Sequence, residues 1–473
     1  MSDIAISQRG ARSSGLKPRK LPRSVEWASS FAGHAPQLKG RIPGPHSLAL
    51  RERCLRGEFG SYPWVDQVPI AFESGQGVTL TDADDNLFID LTHGHLGAAL
   101  GHANPEIIEA VHRQISRLSH VRNQPCEIRA QLQETLARIT PGNLNLITFY
   151  SSGTEAAEGA MRVARAVTGG HEFVSFYGDY HGRTTGAIGT SVGSRMTGPR
   201  PSGFFSVPNG YCHRCEFAME PSTCGIHCLD FAERAIRMNS HGALAGIVAE
   251  PITNASGARV FPDGYLRKLR DIADRTGALL IFDEHATGLG RTGRMWGGDH
   301  EGVIPDVIYF AKYLGNGYPV TAVAIREEYR DILASERQGE RQGSTYGGQP
   351  LACAAALALV QILLRDNLTE HARITGEKCL IYMKEVAERH AIVGIAQGRG
   401  LQLGYEFVDP KTGAPSSEIG HAVYQAAMER GIATSPVGPA LRVSPMMVTS
   451  AEVALKALRI LEEAIADVES RFA

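Results

Sequence analysis

The sequence predicts an α/β fold, with a mostly parallel sheet flanked by helices in a large domain and a smaller α/β domain at the C-terminal end. Short apolar runs alternate with helical segments from about residue 76 onward, and this alternation is typical of strands joined by crossover helices. One helical segment repeats its apolar residues on a single face, at Tyr265, Leu266, Leu269, Ile272 and Ala273. Ligands of such sheets bind at the carboxyl ends of the strands, so functional residues are expected directly after the apolar runs.

The apolar runs are the expected strands. They span residues 146–149, 173–176, 245–249, 278–282 and 307–310. Each run is short, as strands are, and the segments between them have room for helices. A further helix is expected from Pro350 to about Asp366, where it leads into a C-terminal region of mixed helices and short strands.

Four regions follow from these patterns. Residues 1–42 combine basic residues with Ser, Gly and Pro and show little apolar periodicity, so we expect a flexible basic arm; a transit peptide is the less favoured alternative. Residues 43–75 are expected to pack with the small domain. Residues 76–345 are expected to form the large, ligand-binding domain, and residues 346–473 the smaller C-terminal domain.

Charge and composition point to small-molecule ligands. The 473 residues carry a formal net charge of only −2, which gives no electrostatic reason to expect nucleic acid or an anionic membrane as a partner. The sequence has neither an apolar run of membrane-spanning length nor a signal-peptide pattern. Eight cysteines in so long a chain indicate reduced thiols rather than a disulfide framework. A cytoplasmic location is expected.

A turn rich in hydroxyl groups follows the first apolar run. Residues 151–158 read Ser-Ser-Gly-Thr-Glu-Ala-Ala-Glu and open a helical segment. The N-terminus of a helix after a strand offers backbone N–H groups and a favourable dipole to an anion, so Ser152, Gly153 and Thr154 are candidates to bind a phosphate. Ser and Thr are also ordinary helix caps, and plain capping is an equally open interpretation.

Charged residues follow the last two runs. Asp283 and Glu284 end the run 278–282, where a carboxylate is costly unless it has a cationic partner such as a pyridinium nitrogen. Lys312 follows the run 307–310 and precedes a glycine-containing turn, so it is placed to form an imine with an aldehyde. Singly, each of these is more often a structural ion pair. Together with a phosphate-binding turn, they supply the three attachments that pyridoxal phosphate needs.

Six motifs occur along the chain in one order: Ser152-Gly153-Thr154-Glu155-Ala156, Tyr180-His181-Gly182-Arg183-Thr184, Glu250-Pro251, Asp283-Glu284 with residues 287–293, Pro305-Asp306 with Ala311-Lys312, and residues 343–348. This ordered set resembles that of class III pyridoxal-phosphate aminotransferases, within the subgroup of 4-aminobutyrate aminotransferases and isoleucine epimerases. The resemblance extends from about residue 43 to the C-terminus. It implies the fold-type I architecture of pyridoxal-phosphate enzymes.

The resemblance also implies roles for individual residues. Lys312 would form the Schiff base and move a proton between substrate and cofactor, while Asp283 would keep the pyridine nitrogen protonated so that the ring remains an electron sink. Tyr180 would stack on the ring. The implied cofactor-binding set comprises Ser152, Gly153 and Thr154 at the phosphate, with Tyr180, His181, Glu250, Asp283, His285, Lys312 and Thr345.

Two further residues carry implications beyond the cofactor. Thr345 resembles the residue that reaches the phosphate of the neighbouring subunit, which implies a homodimer with shared active sites. Arg442 matches an arginine that many relatives use to clamp a substrate carboxylate, and a guanidinium suits bidentate carboxylate binding. A structural salt bridge is the alternative for Arg442.

The chain departs from the family pattern in two places. His285 and Ala286 stand where relatives have valine and glutamine; His285 either stacks on the ring and alters its electronics or merely replaces a packing residue. Residues 252–257 contain no acidic residue, whereas 4-aminobutyrate and ornithine aminotransferases place there a glutamate that masks the clamp arginine. This weakens the case for a standard 4-aminobutyrate aminotransferase and leaves other primary amines, including amino sugars, open.

Four cysteines are spaced as C-x2-C-x8-C-x3-C, at Cys212, Cys215, Cys224 and Cys228. Zinc or an iron–sulfur cluster uses such sets, but relatives carry similar loops that need not hold metal. Reduced structural cysteines are the favoured interpretation, and no metal is assigned.

The expected function is transamination from a primary amine (an amino acid, ω-amino acid or amino sugar) to a keto acid such as 2-oxoglutarate or pyruvate. A racemase or epimerase of the same subgroup is the nearest rival, in which the proton returns to the substrate carbon from the opposite face. A non-catalytic binding protein is disfavoured, because it has no need for both Lys312 and Asp283. The loop His93 to Gly97, the N-terminal segment and the second subunit are expected to shape the substrate pocket.

Overall fold

The computed structural model describes residues 20–60, 63–122, 124–191, 200–334 and 342–472. Within these ranges the α-helices are α1 Arg23–Ser30, α2 Pro45–Leu55, α3 Pro63–Gln67, α4 His93–Leu96, α5 Pro105–Ile115, α6 Glu127–Ala137, α7 Gly153–Thr168, α8 Thr185–Thr190, α9 His227–Asn239, α10 Tyr265–Thr276, α11 Arg330–Ala334, α12 Pro350–Arg365, α13 Leu368–Arg389, α14 Ser417–Met428 and α15 Ala451–Phe472. The strands are β1 Phe72–Gln76, β2 Thr79–Asp82, β3 Leu87–Asp90, β4 Leu146–Tyr150, β5 Glu172–Phe176, β6 Phe204–Val207, β7 Leu244–Ala249, β8 Leu279–Asp283, β9 Val307–Phe310, β10 Thr321–Ile325, β11 Val393–Arg399, β12 Gln402–Phe407, β13 Ile432–Ala433, β14 Ser435–Val437 and β15 Ala440–Val443.

The central sheet confirms the predicted fold class. Its strands in the described residues run in the order β4-β10-β9-β8-β7-β5-β6, and only β10 opposes the others, because it pairs antiparallel with both β4 and β9. The five predicted apolar runs form β4, β5, β7, β8 and β9. Strands buried on both faces read as continuous apolar runs rather than as alternating patterns, which is why the sequence shows them clearly.

Helices cover both faces of this sheet. Leu280 and Phe282 pack on one face in a cluster that includes α10, whereas Ile281 and Tyr309 pack on the other face in a cluster that includes α7. This division follows from the alternation of side chains along a strand. The predicted apolar face of α10 is confirmed, since the five residues that define it are its buried residues.

Two smaller sheets complete the architecture of the described residues. One has the order β11-β12-β15-β14, and the other has the order β1-β2-β3-β13. In the second sheet Ile432 and Ala433 pair in parallel with Ile89 and Asp90. The predicted boundary at residue 76 needs correction here, because β2 and β3 lie beyond it yet share a sheet with C-terminal β13. Pairing between segments so far apart in the chain leaves no periodic signal in the sequence.

The N-terminal region also needs correction. Residues 20–42 were predicted to belong to a flexible arm, but α1 buries Val25 and Ala28 in the core. Ser29 fixes this helix to the C-terminal part of the chain, since its hydroxyl donates to the Val448 carbonyl at 3.2 Å and accepts from the Ser450 N–H at 2.9 Å. Two buried apolar side chains in one short helix are too few to give a clear periodic pattern. Residues 1–19 of the predicted arm lie outside the described residues.

Segment 43–75 contacts the C-terminal region. The Tyr424 hydroxyl on α14 donates to the Trp64 carbonyl on α3 at 3.1 Å.

In the part of the chain that the structure describes, no single helix is long and apolar enough to cross a membrane. The helices α12 and α13 reach that length and apolar character only as a pair, and the pair is bent by 68°.

Candidate active site

Residues from five strands meet at one edge of the central sheet. Strands β4, β5, β7, β8 and β9 run in the same direction, so their carboxyl ends share an edge. The segments that follow them contain most of the residues that the sequence singled out: Ser152 to Thr154 after β4, Tyr180 and His181 after β5, Glu250 after β7, Asp283 and His285 at β8, and Lys312 after β9.

Asp283 is buried and held by two histidines. Its Oδ2 accepts from His181 Nδ1 at 2.8 Å, and its Oδ1 accepts from His285 Nδ1 at 2.8 Å and from the His285 backbone N–H at 3.0 Å. Burial alone would raise the pKa of Asp283, but the charge of His285 and the hydrogen bond from His181 outweigh it and hold this pKa well below its usual range. Asp283 is therefore an ionised carboxylate of fixed orientation, with lone pairs left for another donor.

Tyr309 belongs to the same cluster, although the sequence analysis did not single it out. Its hydroxyl lies 2.9 Å from His181 Nδ1, and its ring packs edge-on against His285 with the ring centroids 5.1 Å apart. The only signal was position, since Tyr309 lies on the strand that leads to Lys312. Which face of a strand meets the neighbouring Asp283 depends on the register of the sheet.

Glu250 positions the backbone around the site. Its Oε1 accepts from the Tyr180 N–H at 2.9 Å, and its Oε2 accepts from the Asn254 N–H at 2.7 Å. Burial, and then the negative charge of Asp283, raise the pKa of Glu250 to about 7. Asp179, another residue that the sequence analysis missed, accepts from the Glu250 N–H at 3.2 Å and from the Thr253 hydroxyl at 3.1 Å. These two carboxylates join the segments that follow β5 and β7.

Lys312 begins a short 3₁₀ turn, Lys312–Gly315, with a positive φ of 48°. Such a conformation costs roughly 1–2 kcal/mol for a residue with a side chain, and the fully buried neighbours Tyr313 and Leu314 hold it in place. Burial lowers the pKa of the Lys312 amine, while the charges of Glu250 and Asp283 oppose that effect. A lowered pKa makes the neutral, nucleophilic amine available nearer to neutral pH.

The phosphate-binding candidate is a capped helix start. Ser152 Oγ accepts from the Glu155 N–H at 3.3 Å, and Glu155 Oε2 accepts from the Ser152 N–H at 3.0 Å, which completes a capping box at α7. The Ser152 side chain therefore acts as the N-terminal cap of α7. Gly153 and Thr154 are the first two residues of α7, a position where backbone N–H groups have no intrahelical partner and attract anions. Both interpretations of the turn are compatible, because they use different atoms.

Gly153 is required by its contact with His285. A Cβ at residue 153 would lie 2.3 Å from His285 Nε2. We expect Gly153→Ala to cost about 1–3 kcal/mol of stability through overpacking and to weaken binding of the anionic ligand at this turn. Thermal unfolding and ligand titration would measure both effects. Gly153→Ala combined with His285→Ala should recover most of the stability, and Gly40→Ala is a matched control because nothing lies within 4 Å of its Cβ position. Equal unfolding midpoints for Gly153→Ala and the wild type would contradict the predicted clash.

Tyr180 and Thr345 occupy different environments. Tyr180 is half-buried, and its hydroxyl accepts from Arg183 Nε at 3.0 Å. Thr345 is exposed on a turn that touches the helix start, since Ser344 Oγ lies 3.1 Å from Ser151 Oγ. The turn therefore lies beside the phosphate-binding candidate of its own chain and leaves the Thr345 side chain at the surface.

Arg442 lies on β15 with 9% of its surface exposed. Burial lowers its pKa to about 10, and the charge of Glu250 works against that shift. Among the described residues no carboxylate lies within ion-pair distance of Arg442, on which Glu250 acts only through its charge, and the Arg442 Nε is buried without a hydrogen-bond partner. The structural salt bridge considered for this residue is therefore absent from the described part of the chain, and the guanidinium is available to an anionic ligand.

The four cysteines of the C-x2-C-x8-C-x3-C pattern line one small pocket. All four are free thiols, and burial raises the pKa of Cys212 and raises that of Cys228 to about 12. Within the described ranges, no group of three or more His, Cys, Asp or Glu side chains has an arrangement suited to a metal ion. Reduced structural cysteines stay the favoured prediction for this loop.

Comparisons with known proteins agree with this geometry. The profile of the class III aminotransferase family matches residues 61–465. Acetylornithine aminotransferase of Methanopyrus kandleri is 36% identical over 345 residues, which cover 72% of this chain and 82% of that protein. The chain is a class III aminotransferase.

Two further relatives place the aminotransferase in its family. 5-Aminovalerate aminotransferase of Pseudomonas putida is 31% identical over 414 residues, covering 85% of this chain and 94% of that protein. An amine transaminase from an uncultivated Pseudomonas species, solved with bound pyridoxal phosphate, superposes with a TM-score of 0.80 at 26% identity, covering 88% of this chain and 98% of the other. The fold-type I architecture, the pyridoxal-phosphate cofactor and amino-group transfer from a primary amine to a keto acid, all predicted from the sequence, are thereby confirmed.

Proposed function

We propose that this aminotransferase moves an amino group from a carboxylate-bearing primary amine to a keto acid such as 2-oxoglutarate or pyruvate. One observation carries the choice of substrate class: the buried guanidinium of Arg442 has no carboxylate partner among the described residues. A buried charge is costly until it is paired, and a substrate carboxylate supplies the pair. Residues 252–257 carry no acidic side chain that would compete with the substrate.

The residues at the sheet edge fit the cofactor at three points. The first turn of α7, with Gly153 and Thr154, suits a phosphate, and Ser152 orders that turn through the capping box. The ionised carboxylate of Asp283 suits a protonated pyridine nitrogen. The Lys312 amine, whose pKa is lowered by burial, suits an aldehyde. When bound, pyridoxal phosphate supplies an electron sink for negative charge at the substrate carbon.

Lys312 would also take the proton from the substrate carbon and return it to the cofactor carbon, since it is the basic group at this edge. The other residues of the site would position Lys312, Asp283 and the phosphate-binding turn. His181 and His285 would keep Asp283 ionised through their hydrogen bonds. Tyr180 would face the ring, with its backbone fixed by Glu250. Under this proposal His285 is a cofactor-binding residue as well as a hydrogen-bond donor to Asp283.

We also propose that the enzyme is a homodimer in which Thr345 completes the phosphate site of the neighbouring subunit. The exposed position of Thr345 and Tyr346, on a turn beside the helix start, supports this assignment. Sedimentation of the active enzyme should give twice the chain mass, and full activity in a monomeric species would contradict the proposal.

The eight free cysteines support the prediction of a cytoplasmic location, where thiols stay reduced.

A two-step absorbance experiment tests the proposed reaction. Purified holoenzyme is mixed with single amines and no keto acid, and the visible band of the bound cofactor is followed. We expect amines that carry a carboxylate to remove the band, and 2-oxoglutarate or pyruvate to restore it. A band that persists with every amine, while one enantiomer of an amino acid is converted to the other, would instead establish an epimerase.

A further inference from the structure

The turn that contains His95 has an unusual backbone. All four residues from His93 to Leu96 have positive φ, with values of 38°, 63°, 57° and 71°. Only Gly94 adopts this conformation without cost, whereas each residue with a side chain is strained in it. Strain of this kind persists only where the surroundings enforce it, and it concentrates at functional sites.

Asp90 and Ser444 enforce the turn from two sides. Asp90 Oδ1 accepts from the Thr92 N–H at 2.7 Å and from the His93 N–H at 2.8 Å. On the other side, His93 Nδ1 lies 2.8 Å from the Ser444 carbonyl oxygen, and Ser444 is two residues beyond Arg442 on the same chain segment. The turn is therefore joined to the strand that carries the clamp arginine.

This backbone places His95 beside Arg442. His95 Nε2 lies 3.5 Å from Arg442 Nη1, a long distance for a hydrogen bond, and because the guanidinium can only donate, His95 Nε2 is the acceptor in this contact. His95 is exposed at the surface, yet partial burial of its ring, followed by the charges of Arg442, Lys312 and Arg183, lowers the pKa of His95. A neutral imidazole with its proton on Nδ1 follows from both observations.

The geometry points to His95 as a specificity-determining residue that holds Arg442 in the pocket and restricts the enzyme to amines with a carboxylate. This inference rests on the proposed function and adds a residue and a selection rule to it. An arginine without an acceptor can swing away and leave room for an apolar group. With His95 as its acceptor, Arg442 stays in the pocket, and an amine without a carboxylate leaves that buried charge without an anionic partner.

The position of His95 also explains how one substrate spans the site. The charges that act on its ring include those of both Arg442 and Lys312, so His95 lies near both the arginine and the reactive amine. A substrate whose carboxylate pairs with Arg442 and whose nitrogen reaches Lys312 passes beside the imidazole.

Binding of succinate to the holoenzyme tests the inference without turnover. Succinate carries carboxylates but no amine, so calorimetry measures the affinity of Arg442 for a carboxylate without any reaction at the cofactor. We expect His95→Leu to weaken succinate binding about tenfold or more, as for loss of a hydrogen bond to a charged group. His95→Gln, whose amide reaches the position of Nε2, should stay within a few fold of the wild type. His34→Leu, at an exposed histidine outside the site, is the matched control.

A pair of donors tests the selection rule. 5-Aminopentanoate and pentylamine differ by a carboxylate in place of a methyl group, and we expect the ratio of their kcat/KM values to fall about tenfold or more in His95→Leu and to be largely retained in His95→Gln. Unchanged succinate affinity and an unchanged ratio in His95→Leu would overturn the inference. Equal damage in His95→Gln and His95→Leu would also overturn it. Failure of the proposed function is a separate outcome, in which no amine that carries a carboxylate removes the visible band of the wild type.

Discussion

Lys312→Ala is expected to abolish turnover, with kcat at least 10⁴-fold lower than in the wild type. Under the proposed assignment, the variant loses both the nucleophile that would attach the cofactor and the group that would move the substrate proton, and proton transfer alone contributes about 10²–10⁴-fold. Single-turnover mixing of the cofactor-loaded variant with an amine donor measures the loss directly. Added methylamine should restore a small part of the proton transfer, because a free amine can take the place of the missing base.

Two controls separate chemistry from folding in this variant. Lys378→Ala changes an exposed lysine on α13 and should leave both activity and the visible spectrum unchanged. The unfolding midpoint of Lys312→Ala should stay near that of the wild type, since the variant removes a partly desolvated amine and keeps the buried neighbours Tyr313 and Leu314. Turnover within tenfold of the wild type would contradict the assignment of Lys312 as the reactive residue.

Asp283→Asn is expected to lower kcat by about 10²–10⁴-fold and to weaken cofactor binding. The neutral amide no longer favours a protonated pyridine nitrogen, so the ring loses much of its capacity as an electron sink. The same change also removes the charged acceptor of His181 and His285. Steady-state rates and equilibrium titration of the apoenzyme with pyridoxal phosphate measure the two effects separately.

The pH dependence of stability gives an independent measurement of Asp283. Its pKa is lowered in the folded protein, so its stabilising contribution is present at pH values above the ordinary carboxyl pKa and is lost as the pH falls through the folded value. The free energy of unfolding should therefore be measured from roughly neutral pH into the acid range. The wild type should lose a stabilising contribution there that Asp283→Asn does not have. Identical acid profiles for the two proteins would contradict this assignment.

Asp306→Asn is the matched control for Asp283→Asn. Asp306 is another buried carboxylate of the central sheet, but it lies before β9 and pairs with Arg270 at 2.7 Å. Its replacement should lower stability without changing the visible spectrum of the bound cofactor. A spectral change as large as that of Asp283→Asn would show that loss of any buried carboxylate disturbs the site, and would weaken the specific role of Asp283.

His285 connects the departures of this chain from its family to a physical role. Where the relatives have valine, this protein places an imidazole that donates to Asp283 and abuts Gly153. His285 thus links the group proposed for the pyridine nitrogen with the turn proposed for the phosphate. The sequence analysis left stacking and simple packing open for this residue, and neither interpretation included the hydrogen bond to Asp283.

The sequence by itself determined the central sheet and the residues at its functional edge. The strands β4, β5, β7, β8 and β9 are buried on both faces, so their apolar runs are continuous, and the residues that end them are those that the parallel arrangement brings together. Asp283 and Lys312 became candidates for this reason, since a charge directly after a buried strand stands out against its neighbours. Their proposed roles came from the ordered motifs that resemble those of the family, because each charge taken singly is more often a structural ion pair.

The tertiary structure alone decided which distant residues meet. The pairing of β3 with β13, the burial of α1, the approach of Tyr309 to His181 and the contact between His95 and Arg442 join segments that are remote in the chain. Their register and orientation depend on how the sheets and loops pack, and no local periodicity encodes that packing. The reaction class of this aminotransferase can therefore be predicted from its sequence, whereas the inferred selection of its substrate depends on contacts that only the folded chain creates.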